Sequence, residues 1–146
     1  MDGTVLVECK VSREAPKALV DPERMGQALL NLCINALDAM PKGGRLILAA
    51  TRNKKGVCLM VRDTGVGIPP RQLPHIFDPY FTTKGQGTGL GLAMVHKIVE
   101  AHNGEISVVS RQAPPGGQGE TLFRIWLPEA LTESQLFVER RKRKRV

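Results

Sequence analysis

Two asparagines, Asn31 and Asn35, interrupt an apolar helix pattern in the stretch NLCINALDAM, residues 31–40. Asparagine is a mediocre helix former and is costly to bury unless its amide finds partners, so the pair either lies exposed or faces a ligand. Four residues make one helical turn plus about 40°, so both amides leave the same flank. A second stretch that could do chemistry is DTGVGIP, residues 63–69. A carboxylate at a strand end is firmly held, and glycines beside it let a flat ligand approach the backbone. A third is GQGTGLGLAMV, residues 85–95, which runs into a helix. Backbone N–H groups at a helix start, flanked by glycines, make an anion site suited to phosphate. This stretch is neither a P-loop, which ends Gly-Lys-Ser/Thr, nor a Rossmann fingerprint, which needs Gly-x-Gly-x-x-Gly straight after a strand. Taken alone, it equally fits a glycine turn that caps a helix.

The elements that must position these residues follow from periodicity. Residues 5–11 alternate apolar and polar like a strand, and residues 17–20 read as a short second one. Asp21 suits an N-cap and Pro22 a first helical position. Met25, Ala28, Leu29, Leu32, Cys33, Ala36, Leu37 and Met40 then recur at three- and four-residue spacing, a core-facing stripe that Pro41-Lys42-Gly43-Gly44 ends. Strands are expected over residues 45–52 and 56–62. A Gly- and Pro-rich stretch follows, with one short helical turn near residues 71–77. A second helix is expected over about residues 88–102, stopped by Asn103-Gly104, and two last strands over 105–110 and 121–127. This order implies an α+β fold: a two-layer sandwich in which a mixed, mostly antiparallel sheet is backed by helices.

At 146 residues the chain is expected to form one domain with a real core. With 42% hydrophobic but 4% aromatic residues, that core must be aliphatic. No run approaches the roughly 18 apolar residues of a membrane span, and no basic-then-apolar leader opens the chain. Cys9, Cys33 and Cys58 lack CxxC spacing and are expected as core thiols in a reducing, cytoplasmic setting. The net charge of +7 looks like a nucleic-acid signal until it is located, because every position from 140 to 145 is Arg or Lys. Without residues 129–146 the chain holds 15 basic against 11 acidic residues. Residues 1–128 therefore read as the domain, and 129–146 as a basic, disordered tail. No nucleic-acid partner is expected.

The combination of motifs is far more specific than any one of them. In order come the Asn-x-x-x-Asn helix, the Asp-x-Gly-x-Gly turn, IFDPYFTTK at residues 76–84, and Gly-x-Gly-Leu-Gly-Leu entering a helix. This resembles the catalytic ATP-binding domain of sensor histidine kinases, part of the superfamily that includes gyrase-type ATPases. The likeness covers about residues 4–128. It is closest to nitrogen-regulation-type kinases, whose helix likewise runs NALDAMP and whose phenylalanine box reads FTTK before a short lid.

The resemblance implies the Bergerat ATP-binding fold, with ATP between the helices and the asparagine flank turned to the triphosphate. Mg²⁺ takes oxygen ligands and usually only one or two from protein. An asparagine carbonyl supplies one without adding charge, so Asn35 is the implied metal ligand and Asn31 stands beside it on the phosphate side. Asp63 would accept from the adenine amino group, Gly65 and Gly67 would give the base backbone access, and Ile68 would be an apolar wall. Gly87, Thr88, Gly89, Leu90 and Gly91 would meet the phosphates, and Lys84 is the implied γ-phosphate contact. Phe77 and Phe81 read as lid anchors. The implied partners are a histidine-bearing dimerisation domain of the parent kinase and, downstream, a response regulator. Whether the parent is membrane-anchored is left open.

Two departures matter. Where many family members carry a basic residue three positions after the second asparagine, this chain has Asp38. Neither His75, His96 nor His102 stands in the acceptor-histidine setting; they read as surface or packing histidines, and the chain as the ATP-binding part of a longer kinase without a catalytic residue of its own. A gyrase-like hydrolase would place a glutamate where Asn31 stands, because activating water needs a base. A free-standing anti-sigma-type serine kinase shares the implied fold and is the alternative reading.

Overall fold

The computed structural model describes residues 3–14, 17–53, 55–83, 89–130 and 133–144. Strand β1 (Val5–Val11) leads to helix α1 (Pro22–Asp38), then strands β2 (Gly44–Asn53) and β3 (Gly56–Asp63). A 3₁₀ turn, Leu73–His75, precedes helix α2 (Gly91–Ala101), strands β4 (Glu105–Arg111) and β5 (Glu120–Pro128), and helix α3 (Glu133–Lys144). The sheet order is β1-β2-β3-β5-β4. Only β1 and β2 pair in parallel, with α1 as the crossover that such a pair requires; the other pairs are antiparallel. The expected mixed sheet backed by helices is therefore the observed one.

Helix α1 starts where its cap chemistry places it. Asp21 Oδ1 accepts from the Glu23 N–H at 3.1 Å and the Arg24 N–H at 3.2 Å, and Pro22 occupies the first turn. Its stripe buries Met25, Ala28, Leu32 and Ala36. Helix α2 answers with Ala93, Val95, Ile98 and Val99, and both press on sheet residues such as Val61, Phe123 and Ile125. At the far end of α2, His102 joins the helices. Its Nδ1–H donates to the Ile98 carbonyl at 2.7 Å and its Nε2 accepts the Asp21 N–H at 3.0 Å. Asn103 then takes a left-handed φ of 58°, ending the helix as expected.

Several details differ from the sequence expectation. Residues 17–20 form no strand; Ala18 makes a single antiparallel bridge to Glu129. Helix α2 opens at Gly91 rather than 88, a position outside the described residues. Cys9 is exposed on β1, Cys33 half-buried and Cys58 buried, so only part of the cysteine set joins the interior. Residues 133–144, expected as disordered tail, form α3. The basic residues Arg141 to Lys144 fill its last turn, where cations complement the helix dipole, and Arg141 lies 5.7 Å over the Phe137 ring. None of the described helices is long and apolar enough to cross a membrane.

Leu32 is 1% exposed and Leu19 is 87% exposed. Leu32→Ala is expected to lower unfolding free energy by about 3 kcal/mol, within the usual core-truncation range, whereas Leu19→Ala should change it by less than about 0.5 kcal/mol. Urea denaturation of both variants checks this; equal losses would show that the α1 stripe is not the core seam.

Candidate functional site

A cleft of about 940 Å³ lies between α1, the end of β3, the loop after it and the start of α2. Helix α1 contributes Asn31, Ile34, Asn35 and Asp38 to its wall. The two asparagines thus share the flank that their spacing implies. Asn31 Nδ2 also lies 3.9 Å from Met94 Sδ on α2, a contact across the helix pair.

The floor is the end of the central strand. Asp63 is 3% exposed, with Leu46 of β2 and Thr121 of β5 as its cross-strand partners. Burial pushes its carboxyl up to about 6; the Gly65 N–H, donated to Oδ1 at 2.9 Å, pulls it back, and the charge of Glu120 raises it again. That same hydrogen bond turns the chain into the glycine loop. A Cβ at Gly65 would lie 2.4 Å from the Ala39 carbonyl oxygen, while Gly67 adopts φ +76° with Arg111 backbone against its α-carbon. The loop is pinned by the Val66 N–H to Ala39 O at 3.0 Å, by Ala113 N–H to Val66 O at 2.8 Å, and by Gly119 N–H to Gly65 O at 2.9 Å. Gly65 therefore sits behind the cleft, while Gly67 and Ile68 line it.

At the other end, Gly89 and Gly91 line the cleft. Gly89 has φ +74° and packs on Tyr80, whose N–H donates to its carbonyl at 2.9 Å. A Cβ at Gly91 would meet nothing within 4 Å, so packing does not demand glycine there. Leu90 occupies the N-cap of α2, makes no side-chain cap, and is not among the lining residues. The first N–H groups of a helix lack intrahelical partners, and here Gly91 and Leu92 bring that end to the cleft wall. Lys84, Gly87 and Thr88 lie outside the described residues.

Phe77 packs against Phe123 and His96, with ring centroids 6.3 and 5.6 Å away. Phe81 neighbours His75 at 6.1 Å and also lines the cleft. His75 pairs with Asp78 at 3.1 Å. Sequence reasoning missed Thr121, Ser110 and Gln112. Thr121 and Gln112 line the cleft, and Ser110 ties Thr121 to the Ile68 N–H. The only sequence signal of Ser110 and Thr121 is a hydroxyl on the inward phase of strands β4 and β5, and Gln112, just past β4, carries none.

The donor set suits a magnesium–phosphate pair better than a caged metal. Among the described residues no three His, Cys, Asp or Glu side chains gather as a metal site. The described cleft lining holds two carboxylates, Asp38 and Asp63, and no lysine or arginine. Among the described lining residues, a polyphosphate would meet no cationic side chain, and Asn35 and Asp38 on α1 are side chains of the kind that could supply oxygen to a cation accompanying it.

The sequence profile described as "Histidine kinase-, DNA gyrase B-, and HSP90-like ATPase" matches residues 20–131. The chain is 48% identical over 117 residues to the sensor histidine kinase ZraS of Escherichia coli (strain K12), covering 80% of this chain and 24% of that kinase. It thus spans about a quarter of that relative's length. The nucleotide-free catalytic domain of histidine kinase ThkA superposes with a TM-score of 0.73 at 32% identity, covering 86% of this chain and 79% of that domain. Full-length ShkA in complex with AMPPNP gives 0.75 at 32% identity, covering 88% and 26%.

The raised Asp63 carboxyl has a measurable consequence. Between about pH 4 and about pH 6 the unfolded chain releases this proton before the folded one does, so the contribution to stability is largest at low pH and is lost as pH rises. Wild type should lose on the order of 2 kcal/mol relative to Asp63→Asn across that interval, levelling off above pH 6. Urea unfolding of both proteins from pH 4 to 7 checks this. Parallel curves would mean that the carboxyl is solvated.

Proposed function

The chain belongs to the histidine kinase-, DNA gyrase B- and HSP90-like ATPases, as the catalytic domain of a sensor histidine kinase, and we propose that it holds Mg-ATP and presents the γ-phosphate to a histidine on a separate dimerisation domain. The observation that carries this reading is the single cleft shared by the α1 asparagines, the buried Asp63 and the start of α2. A buried acceptor at one end suits an amino-bearing base, and a helix start at the other suits phosphate.

Within that reading the ionised Asp63 accepts from the adenine amino group. Gly67 lets the loop backbone come close to the base, Gly65 behind it lets that loop pass Ala39, and Ile68 covers a ring face. Asn35 lends a carbonyl oxygen to the Mg²⁺, with Asn31 beside it. Backbone N–H groups of Gly89, Leu90 and Gly91 meet the phosphates, joined by Gly87, Thr88 and Lys84 on the strength of their sequence positions. A Mg²⁺ ion held by Asn35 would supply charge neutralisation for the phosphates. The chain's own part is positioning, the main protein contribution to phosphoryl transfer. The remainder of the parent kinase supplies the acceptor histidine, and a response regulator takes the phosphoryl group onward. The subtype is nitrogen-regulation-like, on NALDAMP and FTTK, and the domain works on the cytoplasmic side, where ATP is found.

Purified chain that binds ADP, incubated with γ-labelled ATP and Mg²⁺, should label neither itself nor free phosphate, and should label a histidine-bearing helical-hairpin domain when one is added. Steady phosphate release abolished by Asn31→Ala would make it a hydrolase instead, and labelling of a serine in an added protein would favour the serine-kinase reading. Asp63→Ala should weaken ADP about 10- to 100-fold, the worth of one hydrogen bond to a charged group. Asn35→Ala should mainly remove the Mg²⁺ dependence of ATP binding. Calorimetric titration with and without Mg²⁺ separates the two, and unchanged ADP affinity in Asp63→Ala would move the base site elsewhere.

A further inference from the structure

Among the described residues two polar side chains fall in the buried class, Asp63 and Thr121, each 3% exposed. They are cross-strand partners on β3 and β5, and both line the cleft floor. What Thr121 offers a ligand depends on where its hydroxyl proton points, and Ser110 on β4 decides that. Ser110 Oγ has three neighbours: the Ile68 N–H at 2.8 Å, the Glu120 carbonyl oxygen at 3.0 Å and Thr121 Oγ1 at 2.7 Å.

A hydroxyl donates once and accepts twice. The Ile68 N–H can only donate, so it takes one lone pair of Ser110. The Glu120 carbonyl can only accept, so it takes the Ser110 proton. The second lone pair of Ser110 is left for Thr121, whose proton must point at Ser110 and away from the cleft. Thr121 then turns lone pairs alone toward the floor. One serine hydroxyl thus does two things. It pins the glycine-bearing loop at Ile68, and it fixes the polarity of the threonine beside Asp63.

We infer that Ser110 is a positioning residue that holds Thr121 as an acceptor, so that the cleft floor selects a purine carrying an amino group over one carrying a carbonyl at the same position. The inference rests on the nucleotide reading above and adds a specificity determinant to it. Asp63, ionised at neutral pH, and Thr121 then both present acceptors, which an exocyclic amino group satisfies and a 6-oxo group does not. A buried polar group left facing its own kind is the strongest source of such discrimination.

The test is calorimetric affinity for ADP and IDP at pH 7.5, with wild type, Ser110→Ala, Ser110→Thr and Thr121→Val, each checked for folding by thermal melting. Ser110→Ala frees the Thr121 proton to swing into the cleft. It should weaken ADP about tenfold, the size of one neutral hydrogen bond, and leave IDP unchanged or tighter, so the ADP/IDP ratio falls. Ser110→Thr keeps the hydroxyl and should restore the ratio. Equal weakening of both nucleotides would reduce Ser110 to loop support and overturn the inference, as would wild-type ratios in Ser110→Ala. If Ser110→Ala does not fold, Thr121→Val decides: a lowered ratio supports the acceptor role of Thr121, and an unchanged one overturns it. Wild type binding neither nucleotide would instead sink the nucleotide reading itself.

Discussion

The burial of one carboxylate constrains most of what surrounds it. Asp63 ends β3, the central strand, so its position is set from both sides by β2 and β5. Taking a charge out of water is costly, and the rise of its carboxyl to about 6 records that cost. The partial compensation, the Gly65 N–H, forces the backbone to turn at once. The turn fits only because Gly65 has no Cβ to strike Ala39 and Gly67 can hold a positive φ. Ala39 is the C-cap of α1. The loop that satisfies the carboxylate therefore also fixes the end of the helix that carries Asn31 and Asn35, and two motifs far apart in sequence become one wall and one floor.

The two helices on the sheet are treated differently at their starts. The N-terminus of α1 is closed by the Asp21 carboxylate, and His102 holds that cap through its backbone N–H. Both His102 nitrogens are committed, so the far end of the helix pair is locked. The start of α2 receives no side-chain cap from Leu90 and borders the cleft. Capping satisfies a helix with its own carboxylate, whereas the first N–H groups of a helix that borders a cleft are where the proposed phosphates would be met.

Much of this was legible in the sequence, for identifiable reasons. Strong local signals survived: Asp21-Pro22 at a helix start, the three-four spacing of Met25 to Ala36, the strand alternations, and Asn103 as a stop. Asn31, Asn35, Asp63, Gly67, Ile68, Gly89 and Gly91 do share one cleft. What was not legible depended on cross-strand register. Ser110 and Thr121 lie eleven residues apart but hydrogen-bond because β4 and β5 pair, and nothing local marks either one. Residues 17–20 look like a strand yet find only a bridge partner at Glu129, since pairing needs a free edge beside them. The basic run reads as disorder by charge alone, yet its charges fall on the helix end that favours them.

If the cleft holds a metal–polyphosphate pair as proposed, the choice of asparagine on α1 follows from charge rather than shape. The described lining already carries Asp38 and Asp63 and no cationic side chain. A phosphate oxygen about 5 Å from one more carboxylate would meet a repulsion of about 3 kcal/mol at an effective dielectric of about 20. Aspartate at position 31 or 35 would supply the same oxygen donor at that cost, for each site substituted. Asparagine supplies the donor without it, and its N–H₂ group can turn toward a phosphate oxygen where the carbonyl turns toward a cation. In the proposed reading, a neutral amide with both polarities is the side chain that can stand between a metal ion and a polyphosphate without adding to the negative charge of the described lining, and that reading gives two mediocre helix formers a reason to sit in the middle of the helix that builds the core.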